Sequence, residues 1–180
     1  MVSSDNALLI IDMQQGLFRG PVSPRSADAV LANIRLLIAN ARDAQVPVFF
    51  ARHIGPDDSP FSEKGPLTQL IPELDVKKQD VVFTKRYPSC FRDTALQREL
   101  NQRGIKQLVI AGMKTEFCVD TTCRAAPALG FRTVLISDAH TTMDNDCLSA
   151  SDIIAHHNST LAGPFVTLST ARDWLFSTVS

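Results

Sequence analysis

The fold is indicated first by the segment QLVIAGMKTEFCVDTTCRAA at residues 107–126. Its opening run, residues 107–111, reads as a strand that is apolar on both faces, and a helical pattern runs from Glu116 to about Leu129. A strand with two apolar faces needs cover on both sides, which is typical of a parallel sheet lying between layers of helices. The segment therefore predicts one strand–helix unit of an α/β protein.

The same alternation of strand and helix continues along the chain. Further strands are predicted at residues 7–11, 47–51, 81–84, 133–137 and 165–168. Helices are predicted at residues 27–44, from a cap at Asp93 or Thr94 to Gly104, at about 148–161, and around Trp174. Right-handed crossovers then give a doubly wound, three-layer α/β sandwich around a six-stranded parallel sheet, and residues 1–180 are predicted to form a single domain.

One long irregular segment interrupts this alternation. Residues 53–79 are rich in Pro, Asp and Ser and carry no clear strand or helix pattern. A loop of this length within a compact domain is usually functional or packed on a partner. Because such folds often pair through exposed helices and long loops, we expect a homo-oligomer. His156 and His157, on the last long helix, are interpreted as capping or interface residues.

Composition and charge exclude several classes of function. The 180 residues are 44% apolar and 21% charged, with a formal net charge of -1, and the scattered basic residues predict no nucleic-acid partner. No apolar run reaches membrane length, and the first residues lack the basic start of a secretory signal, so we predict no membrane partner. The four cysteines have neither disulfide-scaffold nor zinc-knuckle spacing, so we expect a reduced, cytoplasmic protein. They are Cys90, Cys118, Cys123 and Cys147.

Three residues capable of chemistry lie at the carboxyl ends of predicted strands, where open α/β sheets form their sites. Asp12 ends the first strand, Lys85 ends the third, and Cys118 opens the helix after the fourth. With Thr115 as the N-cap, the Cys118 thiol lies in the first helical turn, where free N–H groups and the helix dipole lower a thiol pKa. The alternative interpretation of Cys118 is a buried, inert cysteine.

The other two residues also have a functional and a plain structural interpretation. Asp12 follows LLII, so its carboxylate lies beside an apolar environment, which raises a carboxylate pKa toward values useful for a general base. The alternative, an aspartate in a turn or helix cap, is about as common at strand ends. Lys85, taken alone, is more often a solvated lysine. Together the three residues form a sensible catalytic group, in which a carboxylate takes the thiol proton and an ammonium stabilises negative charge.

Four segments resemble the motifs of isochorismatase-like cysteine hydrolases, a superfamily that includes nicotinamidases and carbamoyl-amide hydrolases. AGMKTEFCVDTTCRAA (residues 111–126) is similar to the G-x-x-T-x-x-C-V signature around the nucleophile. LLIIDMQ (8–14) resembles the first strand with its aspartate, and TKRYPSCF (84–91) resembles the K-x-x-x-S-x-F segment. GFRTVLISDA (130–139) is similar to the strand after the nucleophile helix.

The resemblance implies an Asp12–Lys85–Cys118 catalytic triad and a cis peptide bond between Met113 and Lys114. It also implies an oxyanion hole formed by the backbone N–H groups of Lys114 and Cys118. The implied reaction is acyl transfer, in which Asp12 deprotonates Cys118 and the thiolate attacks a carbonyl carbon. Asp12 then protonates the leaving amine, and water hydrolyses the thioester.

One departure from the superfamily concerns metal binding. Its nicotinamidases hold a metal with a D-x-H element and a further histidine after the second strand. Here ARHIGPDDSPF, residues 51–61, has His53 but Ala51 in place of the aspartate. Because a catalytic zinc needs three protein ligands, we predict neither a metal nor another cofactor. The resemblance then implies hydrolysis of a small-molecule substrate of amide, lactam or carbamoyl type.

Residues that flank the motifs are candidates for the substrate pocket, with a structural role as the alternative for each. The aromatic candidates could equally be core, and the polar candidates could equally be hydrogen-bonded loop residues. The candidates are Gln14, Phe18, Tyr87, Phe91, Phe117 and His140.

Three other functions stay open at the level of sequence. Isochorismatase-type cleavage of a vinyl ether needs an acid but no thiol nucleophile, so Cys118 argues against it. A nucleotide- or flavin-binding module shares the fold but needs a glycine-rich phosphate loop, and DMQQGLFRG (12–20) contains no GxGxxG. A redox sensor that pairs Cys118 with Cys123 would need local unwinding, because the two residues face different sides of one helix.

Overall fold

The sheet of this protein is fully parallel. The computed structural model describes residues 5–176, and every strand pair in its six-stranded sheet is parallel. The strand order is β3-β2-β1-β4-β5-β6, which confirms the predicted doubly wound α/β fold. The strands are β1 (Asn6–Ile11), β2 (Val48–His53), β3 (Val81–Lys85), β4 (Gln107–Met113), β5 (Arg132–Thr141) and β6 (Thr167–Ser169).

Helices cover both faces of the sheet. The α-helices of the described chain are α1 (Gln15–Phe18), α2 (Ala27–Asp43), α3 (Leu96–Gln102), α4 (Asp120–Ala128) and α5 (Ala150–Leu161). Helices α1 and α2 pack into the core on one face, whereas α3, α4 and α5 pack into the core on the other. Of the helices just named, none is long and apolar enough to cross a membrane.

The central strand β1 shows why the chain folds into layers. All six of its residues are buried, and alternate side chains enter the two cores: Leu8 and Ile10 lie on the α2 face, and Leu9 and Ile11 lie on the opposite face. This is the period-two alternation of a strand. Each fully buried leucine or isoleucine contributes about 1.5–3 kcal/mol relative to an exposed one, so β1 is a strong anchor for its carboxyl end.

Several predicted boundaries need correction. The helix predicted from Glu116 begins instead as a π-helical turn, Thr115–Val119, that leads directly into α4, and Lys114 rather than Thr115 precedes it. Strand β5 is longer than predicted and reaches Thr141. Helix α3 begins at Leu96, and its N-cap is Ala95 rather than the predicted Asp93 or Thr94, although the Leu96 N–H does donate to the Thr94 side-chain oxygen.

The prediction of a short helix around Trp174 is wrong. Residues 171–173 form a turn, and the chain then continues without helical structure to residue 176. The Trp174 N–H donates to the Thr170 carbonyl at 3.0 Å, which closes a single turn. Because Trp174 and Phe176 pack against the core on the α2 face, burial of aromatic rings rather than helical hydrogen bonding determines this segment.

The long segment between β2 and β3 packs on its own chain. It contains two 3₁₀ turns, Pro66–Thr68 and Pro72–Leu74, and buries Ile71 and Leu74 in the core beside α2. The Thr68 hydroxyl is fully buried and bonds to carbonyl groups of the same loop. The loop is therefore an ordered segment that packs against the core next to the carboxyl end of β2.

Candidate active site

The three residues predicted to act together lie together in the structure. Strands β1 and β4 are neighbours at the point where the strand order reverses, and such switch points form the ligand crevice of open α/β sheets. Asp12 follows β1, Cys118 lies in the π-helical turn after β4, and Lys85 ends β3. The Lys85 ammonium donates to the Asp12 Oδ2 at 2.8 Å and to the Cys118 Sγ at 3.2 Å.

Asp12 is held in place by its backbone as well as by Lys85. Its φ of 53° lies in the left-handed region, and its N–H donates to the Ala51 carbonyl at 3.1 Å. The side chain is buried, and its second oxygen, Oδ1, has no hydrogen-bond partner within residues 5–176. An acceptor of this kind next to the thiol is free to take a proton.

Lys85 is a buried lysine whose charge is compensated. Its side chain is fully buried, and its Nζ contacts the His53 Nδ1 at 3.1 Å and the Tyr87 carbonyl at 3.3 Å, besides Asp12 and Cys118. Burial is the largest single effect and disfavours the ammonium, but the charge and hydrogen bond of Asp12, together with the nearby Cys90 and Cys118, raise the pKa of Lys85 above its ordinary value. Lys85 is therefore a fixed positive charge, and the solvated-lysine interpretation does not hold.

The Cys118 thiol differs electrostatically from the sequence expectation. It is 8% exposed, and burial together with the neighbouring Asp12 charge raises the pKa of Cys118 to about 12, although Lys85 acts in the opposite direction. The expectation that the helix start alone lowers this pKa is therefore wrong, because desolvation is the larger effect. The resting group is a thiol beside a carboxylate, so its activation requires proton transfer to a base.

The turn before Cys118 has unusual backbone geometry. The peptide bond between Met113 and Lys114 is cis, and the Lys114 carbonyl accepts the N–H groups of Phe117 and Val119, each at 3.2 Å. Gly112 has a φ of 123°, and a Cβ atom built on it would lie 2.2 Å from the Ile11 carbonyl oxygen. Only glycine lets β4 come so close to β1 there. The oxyanion role of the Lys114 and Cys118 N–H groups stays a prediction.

A buried hydrogen-bond chain that the sequence did not reveal supports this turn. His140, on the carboxyl part of β5, contacts the Thr115 hydroxyl at 2.9 Å through Nδ1 and the Asn158 Oδ1 at 2.9 Å through Nε2. The Asn158 amide nitrogen in turn donates to the Ser137 carbonyl, which directs its oxygen toward His140. Burial lowers the pKa of His140 to about 4, so it is neutral and ties the turn to α5.

Most of the predicted pocket residues have structural contacts instead. Gln14 is fully buried and bonds to the backbone of His53 and Thr68. Phe18 is a core residue on the α2 face. Phe91 stacks on Phe131, with ring centroids 5.9 Å apart. Because Phe131 precedes β5, that stack lies toward the amino end of the strand, away from Cys118.

Two predicted pocket residues lie next to the predicted catalytic residues. Phe117 is 54% exposed and directly precedes Cys118, so its ring is available to a ligand. Tyr87 contacts Lys85 through its carbonyl, and its half-buried ring lies 3.6 Å below the Arg92 guanidinium. His140 is buried behind the turn and acts through Thr115.

The metal alternative can be tested against the donor set. Ligand atoms of Asp12, His53 and Cys118 lie within 4.8 Å of one another, a spacing that a metal ion could bridge. However, the Lys85 Nζ hydrogen-bonds to all three of these side chains. A cation already lies among the three donors, and Ala51 supplies no ligand where nicotinamidases have an aspartate. These residues therefore do not fit a metal.

The remaining cysteines do not form a redox pair with Cys118. All four cysteines are free thiols. Cys123 is fully buried in the core under α4, and burial raises its pKa. Cys90 is also fully buried, and its N–H donates to the Thr122 hydroxyl at 3.1 Å. A resolving cysteine needs access and thiolate character, which Cys123 lacks.

Comparison with proteins of known family extends these observations. A family model described as "Isochorismatase domain" matches residues 6–159. The "Secreted isochorismatase effector Isc1" of Verticillium dahliae is 30% identical over 172 residues, which are 95% of this chain and 90% of that protein. The match therefore extends over almost the whole length of both proteins.

Two enzymes and one solved structure add to this match. "Streptothricin hydrolase" of Streptomyces noursei is 34% identical over 77% of this chain and 50% of that protein. "Nicotinamidase 3" of Arabidopsis thaliana is 31% identical over 81% of this chain and 77% of that protein. A cysteine hydrolase from Pseudomonas syringae pv. phaseolicola superposes with a TM-score of 0.88 at 25% identity, over 94% of this chain and 90% of that one. The resemblance is confirmed: this chain belongs to the isochorismatase family of hydrolases.

Proposed function

We propose that this protein hydrolyses a small amide, lactam or carbamoyl compound through a thioester on Cys118. The observation that carries the proposal is the buried contact of one ammonium, that of Lys85, with both the Asp12 carboxylate and the Cys118 sulfur. A carboxylate, a cation and a thiol in mutual reach are the parts that nucleophilic acyl transfer needs.

The first half of the reaction forms the acyl-enzyme. Asp12 accepts the proton of the Cys118 thiol as the sulfur attacks the substrate carbonyl carbon, and Lys85 stabilises the thiolate as it develops. Transfer of the proton inside the site is required because the resting thiol has a raised pKa. The N–H groups of Lys114 and Cys118 donate to the oxyanion, and each such donor is worth about 2.7–4 kcal/mol.

The second half of the reaction releases both products. The carbon–nitrogen bond breaks, and the protonated Asp12 returns its proton to the leaving nitrogen, which departs as an amine or ammonia or, for a lactam, stays tethered to the acyl group as an amine. A water molecule then attacks the thioester, with Asp12 as the base. The products are the carboxylic acid and the free Cys118 thiol, so atoms and protons balance without a cofactor.

The names of two relatives agree with the proposed bond class. Streptothricin hydrolase and nicotinamidase are named for amide-type substrates, and both match more than three quarters of this chain. The donor set around His53 does not fit a metal, which favours a metal-independent member. Cytoplasmic location and homo-oligomeric assembly also stay proposals, and one relative is named as a secreted protein.

The test is an amide panel assayed with matched variants. Wild type, Cys118→Ala and Cys147→Ala are incubated with nicotinamide, ureido acids and streptothricin-type lactams, and product formation is followed by mass spectrometry. We expect activity to fall at least about 10³-fold in Cys118→Ala and to be unchanged in Cys147→Ala, because Cys147 is exposed and lies outside the site.

Trapping the intermediate decides the reaction class. Acid quenching of wild type during turnover should leave an acyl mass on the peptide that contains Cys118. Hydrolysis that persists in Cys118→Ala would contradict the proposal. Turnover of isochorismate by wild type and Cys118→Ala alike would favour vinyl-ether cleavage, which needs the Asp12 acid but no thiol.

A further inference from the structure

His53 contacts the catalytic ammonium but has no part in the mechanism so far. Its Nδ1 lies 3.1 Å from the Lys85 Nζ. An ammonium can only donate hydrogen bonds, so the Nδ1 must accept, and the imidazole must be the neutral tautomer with hydrogen on Nε2. Burial and the Lys85 charge both lower the pKa of His53, which keeps this acceptor available at neutral pH.

The backbone of His53 is clamped by a buried side chain. The His53 N–H donates to the Gln14 Oε1 at 2.8 Å, and its carbonyl accepts from the Gln14 Nε2 at 2.9 Å. Gln14 itself is fully buried at the start of α1. The imidazole is therefore attached to a fixed point at the end of β2, which a group that orients another residue requires.

The ammonium needs such an orienting group. Lysine has three N–H groups on a flexible stem, and the Lys85 Nζ has acceptors at Asp12, Cys118, His53 and the Tyr87 carbonyl. Three N–H groups are shared among four acceptors, and the thiol sulfur at 3.2 Å is the weakest acceptor of the four. We therefore expect loss of the His53 acceptor to shift the ammonium toward the charged Asp12 and away from the sulfur. The thiolate would then lose part of its stabilisation.

We propose that His53 is a positioning residue that holds the Lys85 ammonium between Asp12 and Cys118, and that it is not a metal ligand. The consequence of this inference for catalysis rests on the proposed function. Its effect on the reactivity of the Cys118 thiol can be measured without any substrate. The charged and titratable groups around this contact are Asp12, Lys85, Cys118 and the buried Cys90.

The experiment measures the alkylation rate of Cys118 by iodoacetamide as a function of pH, with peptide mass spectrometry as the readout. The variants are His53→Asn, whose oxygen takes the place of Nδ1, and His53→Gln, whose amide takes the place of Nε2. His53→Ala removes both. We expect His53→Asn to alkylate Cys118 within about threefold of wild type, and His53→Gln and His53→Ala to react at least about tenfold more slowly, which is one unit in thiol pKa.

The exposed Cys147 serves as an internal control, because its alkylation should be equal in all variants. Thermal unfolding establishes that each variant is folded, and the comparison of His53→Asn with His53→Gln remains decisive if His53→Ala does not fold. Rescue by asparagine alone supports a hydrogen-bond acceptor for Lys85, since general packing would be restored as well by glutamine.

Three results would overturn the inference. The first is equal Cys118 reactivity in wild type and His53→Ala. The second is equal slowing of Cys118 alkylation in His53→Asn and His53→Gln. The third is about one equivalent of zinc in purified wild type that is lost in His53→Gln or His53→Ala. Failure of the proposed function looks different, because it leaves Cys118→Ala active whatever the alkylation rates. Elemental analysis by mass spectrometry provides the metal measurement.

Discussion

Replacing Lys85 by methionine tests the central ion pair of the site through stability rather than activity. Methionine keeps most of the volume of the lysine stem but removes the charge. Lys85 and Asp12 are 0% and 1% exposed in their side chains, and their atoms are 2.8 Å apart. The variant leaves the Asp12 carboxylate buried without its cation, which is the situation that proteins tolerate least.

The expected magnitude follows from this geometry. At 2.8 Å and an effective dielectric constant of about 20, the gross attraction is about 6 kcal/mol, and dehydration of the two charges offsets much of it. Removal of one partner from a buried pair costs about 3–5 kcal/mol. We expect Lys85→Met to lose this much free energy of unfolding, which is a large share of the 5–15 kcal/mol typical of a domain.

Urea unfolding at pH 7 measures the loss, with a constant m-value as the check that both states are unchanged. Arg86→Met is the matched control, because Arg86 forms an exposed pair with Asp57 at 2.9 Å, and such pairs contribute less than about 1 kcal/mol. The double variant Asp12→Asn/Lys85→Met should regain at least about 2 kcal/mol relative to Lys85→Met. The reasoning is refuted if Lys85→Met and Arg86→Met lose equal amounts, or if the double variant regains nothing.

Three further predictions concern stability. The folded pKa of His140 is about 4, below its ordinary 6.5, so its contribution to the free energy of unfolding is present above pH 6.5 and is lost as pH falls through 4. We expect a pH-dependent loss of about 3 kcal/mol that His140→Gln lacks, measured by urea unfolding at each pH. The folded pKa of Cys90 is raised to about 12, so the free energy of unfolding should fall as the pH rises from 9 to 12. Circular dichroism should show a shallower fall in Cys90→Ala and the same fall as wild type in Cys147→Ala, whose cysteine is exposed. Gly112→Ala should cost at least about 3 kcal/mol because its Cβ meets the backbone of β1, whereas Gly104→Ala, at φ 70° with open space, should cost about 1 kcal/mol in thermal unfolding.

Much of the fold was predictable because its strands carry a simple pattern. The apolar runs that contain Leu8 and Val109 needed cover on both faces, and only a layered parallel sheet provides it. The π-helical start at Thr115 was not predictable, because the spacing of apolar residues over one turn does not distinguish a π-helical turn from an α-helical one. The segment near Trp174 was also missed, since its aromatic rings are held by the core rather than by helical hydrogen bonds.

Sequence by itself determined the fold class and predicted that Asp12, Lys85 and Cys118 lie together, because the carboxyl ends of parallel strands converge on one edge. Only the tertiary structure decided how each group behaves there. The thiol pKa is raised rather than lowered, and the His53 ring contacts the Lys85 ammonium. The physical reason is that desolvation and hydrogen-bond partners come from residues distant in the chain, and no local pattern records them.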